Sequence, residues 1–235
     1  MFYVALFLLS PIVIWQALLV RKNVVRLPEA DGLRAGVIGA GERLRVLYIG
    51  DSAAAGVGVA HLEDSLVGKL NARLSCHFSV KWQLHAKTGD STKETISRLM
   101  QIAPEPCDIA IISLGVNEVT RATPIGVWWN NTARLIALLR TQFNCQHVVY
   151  TCVPPIASFP ALAPPLRWLL GWRASQLNIR LRKGLENLPY VCLVEPSNDN
   201  ISNKFADDGF HPNVSGYESW AEQVSKVVFS LCLKS

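Results

Sequence analysis

Ser52 stands in YIGDSAAAGVGV, residues 48–59, where an apolar run ends on Gly50 and Asp51 and passes into small residues. A plain strand-to-helix turn, a phosphate cradle and the seat of a nucleophile all fit such a stretch. A phosphate cradle is disfavoured, because no Gly-Lys-Ser or Gly-Lys-Thr follows the apolar run. The glycines of GVGVA come too late for a dinucleotide fingerprint. A serine hydroxyl is a weak nucleophile until a base takes its proton. The usual base is a histidine oriented by a carboxylate. Of the five histidines, His61, His77, His85 and His147 sit at the margins of strand-like or helix-like segments and read as structural or solvated. His211 lies in the polar loop ADDGFHPN, with Asp208 three residues before it. Ser52, Asp208 and His211 follow each other in an order in which such triads occur. A helix-leading turn with an incidental histidine stays open as the plainer alternative. The G-x-S-x-G elbow is absent, since Ala54 occupies its last glycine position.

Acyl transfer also requires hydrogen-bond donors aimed at a developing oxyanion. The candidates are the Ser52 backbone N–H, the Gly89 backbone N–H in KTGDST and the Asn117 side-chain amide in LGVNEVT. Taken singly, Gly89 is a turn glycine before a helix and Asn117 a turn former. Each, however, follows an apolar run, as Ser52 does.

Those runs are the elements that must position the chemistry. Five short segments rich in β-branched residues and bounded by turn residues read as strands: 43–50, 78–85, 108–115, 147–153 and 190–195. Helical patterns lie between and after them, at 62–74, 91–102, 123–142, 166–187 and 214–233. Ser91 with Glu94 three residues on forms a capping box for the second of these. Strands alternating with helices predict a three-layer α/β/α fold around a five-stranded parallel sheet covered on both faces. Ligands bind such sheets at the carboxyl ends of the strands, which is where the punctuating motifs fall.

Composition narrows the functional classes. The chain has 235 residues, 50% hydrophobic and 17% charged, with a formal charge of +5. That size suits one sizeable core. Lys and Arg are scattered, without the stripe and aromatic interleaving expected of a nucleic-acid surface. No two of the six cysteines form a CxxC pair, so no metal or redox motif is expected, and Cys107, Cys152 and Cys192 read as small buried hydrophobes. No cofactor is called for.

Together these motifs resemble the SGNH hydrolases, the GDSL-like esterase and lipase superfamily, over residues 44–220. The resemblance implies a flavodoxin-like fold and a carboxylic ester hydrolase. It implies that Ser52 in Gly50-Asp51-Ser52 is the nucleophile and that Asp208 and His211 in DGFHP complete the triad. The Ser52 amide, Gly89 and Asn117 would form the oxyanion hole. The chain departs from the family in two places. Ala53 stands where the family name implies leucine, and Glu118 stands where aspartate usually follows the asparagine, keeping the charge on a longer side chain.

Two apolar stretches bear on substrate and location. Residues 1–20 carry no charge and are long enough to be expected as a membrane anchor or signal-like segment, with a helix packed on the domain as the alternative. Arg21, Lys22 and Arg26 follow, which by the positive-inside rule orients the main domain, residues 43–235, to the cytoplasm, a periplasmic or secreted location staying open. Residues 21–42, rich in glycine, are expected as a linker. Residues 154–172 are also apolar and follow the fourth strand. There Phe159, Leu166 and Trp168 are the expected substrate contacts, unless this face belongs to the core. A small-molecule or lipid ester, of the lipase or lysophospholipase kind, is the expected substrate. A thioesterase, a carbohydrate O-acetylesterase, an acyltransferase or a tethered non-catalytic binding module are the alternatives. The oligomeric state is not legible.

Overall fold

A computed structural model of the chain describes residues 2–195 and 203–232. Met1 and Leu233, the ends of two expected segments, lie outside them. The sheet is built from β1 (Ala35–Ile38), β2 (Glu42–Gly50), β3 (Phe78–Ala86), β4 (Ile109–Ser113), β5 (His147–Thr151) and β6 (Val191–Val194), in the order β1-β3-β2-β4-β5-β6. The five strands from β3 to β6 in that order are parallel, and β1 pairs antiparallel with β3 at the edge. The helices are α1 (Phe2–Asn23), α2 (Leu66–Leu74), α3 (Thr92–Leu99), α4 (Val116–Thr120), α5 (Ile125–Thr141), α6 (Leu166–Leu185) and α7 (Val214–Cys232).

Strand alternation explains the three layers. Leu47 and Ile49 of β2, with Ala110 and Ile112 of β4, face a core completed by Trp128, Leu135 and Leu139 of α5 and Leu177 and Leu181 of α6. Val46 and Tyr48, with Ile109 and Ile111, face the opposite core of Leu66, Leu70 and Leu74 on α2 and Tyr217, Ala221 and Val224 on α7. Covered on both sides, β4 is buried along its whole length.

The sheet therefore has six strands rather than five. The extra strand lies in the segment expected as a linker. β1 is short and largely exposed, and it carries Gly36 against the Trp82 ring, so it lacks the β-branched alternation that marks a strand. Residues 21–42 are also tied to the domain, by Ala30 N to Ala55 O (3.1 Å) and Leu62 N to Asp31 O (2.8 Å).

Within residues 1–20, expected as a membrane anchor or signal-like segment, the helix α1 packs on the domain. Among the described residues no helix is long and apolar enough to cross a membrane. Ser10, Pro11 and Gln16 interrupt the apolar run, and Gln16 is used by the domain. Its Nε2 donates to Pro164 O (2.7 Å) and its Oε1 accepts from Leu166 N (3.1 Å). Val13 and Val20 pack against the α5–α6 core from the same side of α1.

Candidate active site

Ser52 is delivered by the end of β2. At Gly50 the chain passes so close to the next turn and to β4 that an added Cβ would lie 2.4 Å from Ala54 Cβ and 2.7 Å from Ser113 O. Only glycine lets the turn fold back this tightly. Past it, Ala55 N donates to Asp51 O (3.0 Å) and Val57 N to Ser52 O (3.0 Å), which fixes the short coil around the serine. From the other side, the loop before α7 brings in Asp208 and His211. Gly58, with φ of +106°, makes room for it: a Cβ there would meet Pro212 O at 2.3 Å.

The loop closes a hydrogen-bonded relay. His211 Nε2 lies 2.8 Å from Ser52 Oγ, and His211 Nδ1 lies 2.5 Å from Asp208 Oδ2. A carboxylate can only accept, so the Nδ1 hydrogen goes to Asp208 and Nε2 is left to accept from the serine hydroxyl. Asp208 Oδ1 accepts from Phe210 N (2.9 Å) and His211 N (3.0 Å), which sets the loop and the ring together. Burial alone would raise the Asp208 carboxyl. The bonds from the His211 ring and from the His211 and Phe210 amides outweigh it and hold the group below the ordinary carboxylate range. The relay can carry a proton from Ser52 Oγ to an imidazole whose resulting charge faces a carboxylate. The remaining histidines lie elsewhere: His61 and His77 are exposed, and His85 and His147 are half-buried on strands.

The second strand-end motif places Gly89 with φ of +85°, its carbonyl held by Arg121 Nη2 (2.6 Å). The backbone N–H groups of Ser52 and Gly89 make no hydrogen bond to a described residue. Asn117 is committed differently. Its Nδ2 donates to Asp51 Oδ2 (3.1 Å) and to Asp90 O (2.9 Å), so both amide hydrogens bind the protein. Asp51 is buried, and burial pushes its carboxyl up to about 7, although the Ala53 amide and His211 pull the other way and Glu118 adds to the rise. Glu118 uses its extra length to reach the start of α3, where Oε1 accepts from both Thr92 N and Thr92 Oγ1 at 2.6 Å. The departure from aspartate at this position thus has a structural use: a carboxylate at a helix N-terminus, steadying the segment that holds Gly89.

A cavity opens beside Ser52 and His211, lined by Leu114, Val116, Phe159, Phe205, Phe210 and Trp220 among others. Of the expected substrate contacts, Phe159 lines it, in edge contact with Phe205 and Phe210. Leu166 and Trp168 do not line it. Leu166 is buried in the core and Trp168 is exposed on α6, because the helix that carries them turns away from the site after Pro165. Gly89 and Asn117 are also outside the lining. Cys152 is buried beside the cavity, Cys107 is buried in the core and Cys192 is partly exposed; all six cysteines are free thiols.

Sequence reasoning missed Tyr217. Its buried hydroxyl lies 2.6 Å from Val57 O and 3.0 Å from Ala53 O, pinning the serine coil to α7. Asp51, Gly58, Phe205 and Phe210 were also given no role. Phe205 and Phe210 did leave a trace, two large apolar residues within an otherwise polar loop.

A parallel sheet with serine, histidine and aspartate joined at its strand ends, and asparagine and glycine motifs beside them, defines a hydrolase of the SGNH class. Residues 48–218 match the GDSL-like lipase/acylhydrolase family, and the chain belongs to it. It is 28% identical over 209 residues to a GDSL-like esterase of Mycobacterium tuberculosis, covering 81% of this chain and 66% of that protein. This chain thus spans just under two thirds of that relative's length. Among solved structures it resembles a lipase from a goat rumen metagenome, with TM-score 0.62 and 18% identity over 77% of this chain and 95% of that one. It also resembles an acetylxylan esterase of Geobacillus stearothermophilus, with TM-score 0.56 and 15% identity over 80% and 94%. At these identities the two structures speak to the fold.

Proposed function

We propose that this chain hydrolyses carboxylic esters through an acyl-enzyme on Ser52, and that its substrates carry a lipophilic acyl group. The observation that carries the reading is the relay from Ser52 Oγ through His211 to Asp208, at 2.8 and 2.5 Å, opening onto an apolar cavity. His211 Nε2 takes the serine proton as Oγ adds to the ester carbonyl. The new oxyanion is received by the Ser52 and Gly89 N–H groups, which are uncommitted among the described residues. Asn117 holds the Asp51–Ser52 turn through Asp51 and joins the oxyanion hole by exchanging one of its two present acceptors. As the carbonyl re-forms, the C–O bond to the alcohol breaks and His211 returns the proton to the leaving oxygen. Water then gives a proton to His211, attacks the acyl carbon and releases the acid, and Ser52 recovers its proton. Asp208 keeps the Nδ1 hydrogen throughout and faces the imidazolium charge.

Named members of the class act on different esters, so the substrate reading rests on the cavity. Phe159, Phe205, Phe210, Trp220, Leu114 and Val116 give an acyl chain apolar surface and few polar partners. The test is hydrolysis of p-nitrophenyl esters from acetate to palmitate beside Ser52→Ala. We expect Ser52-dependent turnover with an optimum longer than acetate. An acetate optimum removes the lipophilic reading. No turnover from folded protein removes the esterase, leaving thioester cleavage or acyl transfer to be sought with those substrates.

A further inference from the structure

The surface of α1 does not look like a helix that has found all its partners. Gln16 ties it to the start of α6, and Val13 and Val20 face the domain. The remaining faces present Ile12, Ile14, Trp15 and Leu18 to solvent, with Trp15 and Leu18 each 61% exposed. On α6, one exposed line runs through Trp168 (63%), Trp172 (42%) and Ile179, spaced as a single helical stripe. The Gln16 tie places Trp15 and the start of that stripe beside the same joint. Where α1 ends, Arg21, Lys22 and Arg26 are exposed and form no ion pair with a described residue.

The geometry points to a bilayer-docking surface: α1 and the exposed stripe of α6 seat the protein on an anionic lipid surface, lying in its interface rather than crossing it. Indole rings favour that boundary, where the ring is buried and the N–H stays wet. α1 packs Val13 and Val20 on the domain and turns other large apolar residues outward, with cations at its end, an exposed apolar patch of the kind that marks a membrane contact. The cations complement phosphate headgroups. Against a second copy of this chain, the same cluster would add like charge to the contact. Location fits as well. The segment between β5 and α6 contributes Pro154, Pro155 and Phe159 to the cavity wall and then leads directly into the docking stripe. Gly171 of α6 packs so tightly on this segment that an added Cβ would lie 2.6 Å from Ala157 Cβ. The surface and the cavity therefore share a structural wall. The inference stands apart from the ester chemistry.

The test is co-sedimentation of the purified full chain with large unilamellar vesicles of equimolar phosphatidylglycerol and phosphatidylcholine, against phosphatidylcholine alone. The variants are Trp15→Glu with Leu18→Glu, Trp168→Glu with Trp172→Glu, and Arg21→Gln with Lys22→Gln and Arg26→Gln. Far-UV circular dichroism and the thermal midpoint check folding. The triple neutralisation touches only exposed side chains and serves if an acidic variant fails to fold. We expect binding to anionic vesicles that alkaline carbonate releases. Each acidic pair should weaken it by about tenfold or more, and the triple neutralisation by about fivefold per basic residue removed. Binding unchanged in all the folded variants would overturn the proposal. So would binding that resists carbonate, the mark of a spanning helix. A doubled mass in light scattering without lipid, halved by the same substitutions, with no vesicle binding, would assign the surface to a second copy instead.

Discussion

Asp208→Asn separates a relay that sets the histidine tautomer from a histidine that merely lies near a serine. Asp208 has a side chain that is 1% exposed and uses both oxygens. Oδ1 accepts two backbone N–H groups, and Oδ2 accepts the His211 ring hydrogen at 2.5 Å. Asparagine supplies one acceptor and one donor to these two positions. If its oxygen keeps the two backbone bonds, its NH2 faces His211 Nδ1, which must then accept. The ring hydrogen moves to Nε2, directed at Ser52 Oγ 2.8 Å away, and the base is blocked. If the amide flips, the Phe210 and His211 N–H groups face a donor in a buried site, at about 1–3 kcal/mol for each unmade bond. The first arrangement costs less for the fold and more for the chemistry. The expected loss in kcat is about 10⁴-fold, roughly 5.5 kcal/mol of transition-state stabilisation. KM should change little, since Asp208 does not line the cavity. The assay is steady-state hydrolysis of p-nitrophenyl butyrate, with circular dichroism to show that the variant folds. A folded variant within tenfold of wild type would refute the tautomer argument.

Tyr217→Phe removes the hydroxyl that meets Val57 O and Ala53 O, so stability should fall by about 1–2 kcal/mol, seen as a midpoint lowered by about 2–8 °C. The loosened serine coil should lower kcat by about fivefold with KM held, and an unchanged kcat would show that Tyr217 does not position Ser52. Asp51 gives a pH dependence of definite sign. Its folded carboxyl, raised from 3.8 to about 7, binds its proton more tightly than in the unfolded chain, a preference of roughly 4 kcal/mol. Its contribution is fully present below about pH 4 and declines as pH rises towards 7. Asp51→Asn should therefore gain stability relative to wild type across that interval in urea titrations. A difference that stays flat between those pH values would contradict a raised Asp51.

The central layers of the fold were legible because the inner strands are buried on both faces and read as continuous β-branched runs. β1 was not, since an exposed four-residue edge containing Gly36 leaves no such pattern. α4 was hidden by its length, five residues holding Asn117 and Glu118 on a motif that reads as a turn. Ser52, Asp208 and His211 could be singled out because a serine just past a strand and a histidine three residues after an aspartate in a polar loop are the residue types a proton relay needs, in an order such relays take. The supports behind them could not. Tyr217 looks like any buried aromatic on an amphipathic helix, and only the folded chain shows its hydroxyl reaching the serine coil. The cavity was half legible. Phe159 followed from its place after β5, whereas Leu166 and Trp168 were misassigned because an apolar helix does not reveal which face meets which neighbour. An uncharged run such as residues 1–20 similarly gives length and hydropathy, but not that Gln16 bonds to the segment before α6.

The claim at the centre is that Ser52 Oγ is the attacking atom, and active-site labelling tests it most directly. The protein is treated with a fluorophosphonate, digested and mapped by mass spectrometry, beside His211→Ala. We expect one phosphonyl adduct per chain, on Ser52, with loss of esterase activity in step with labelling and a rate greatly reduced in His211→Ala. Labelling of another serine in step with inactivation, or full activity in a chain whose Ser52 is modified, would contradict it.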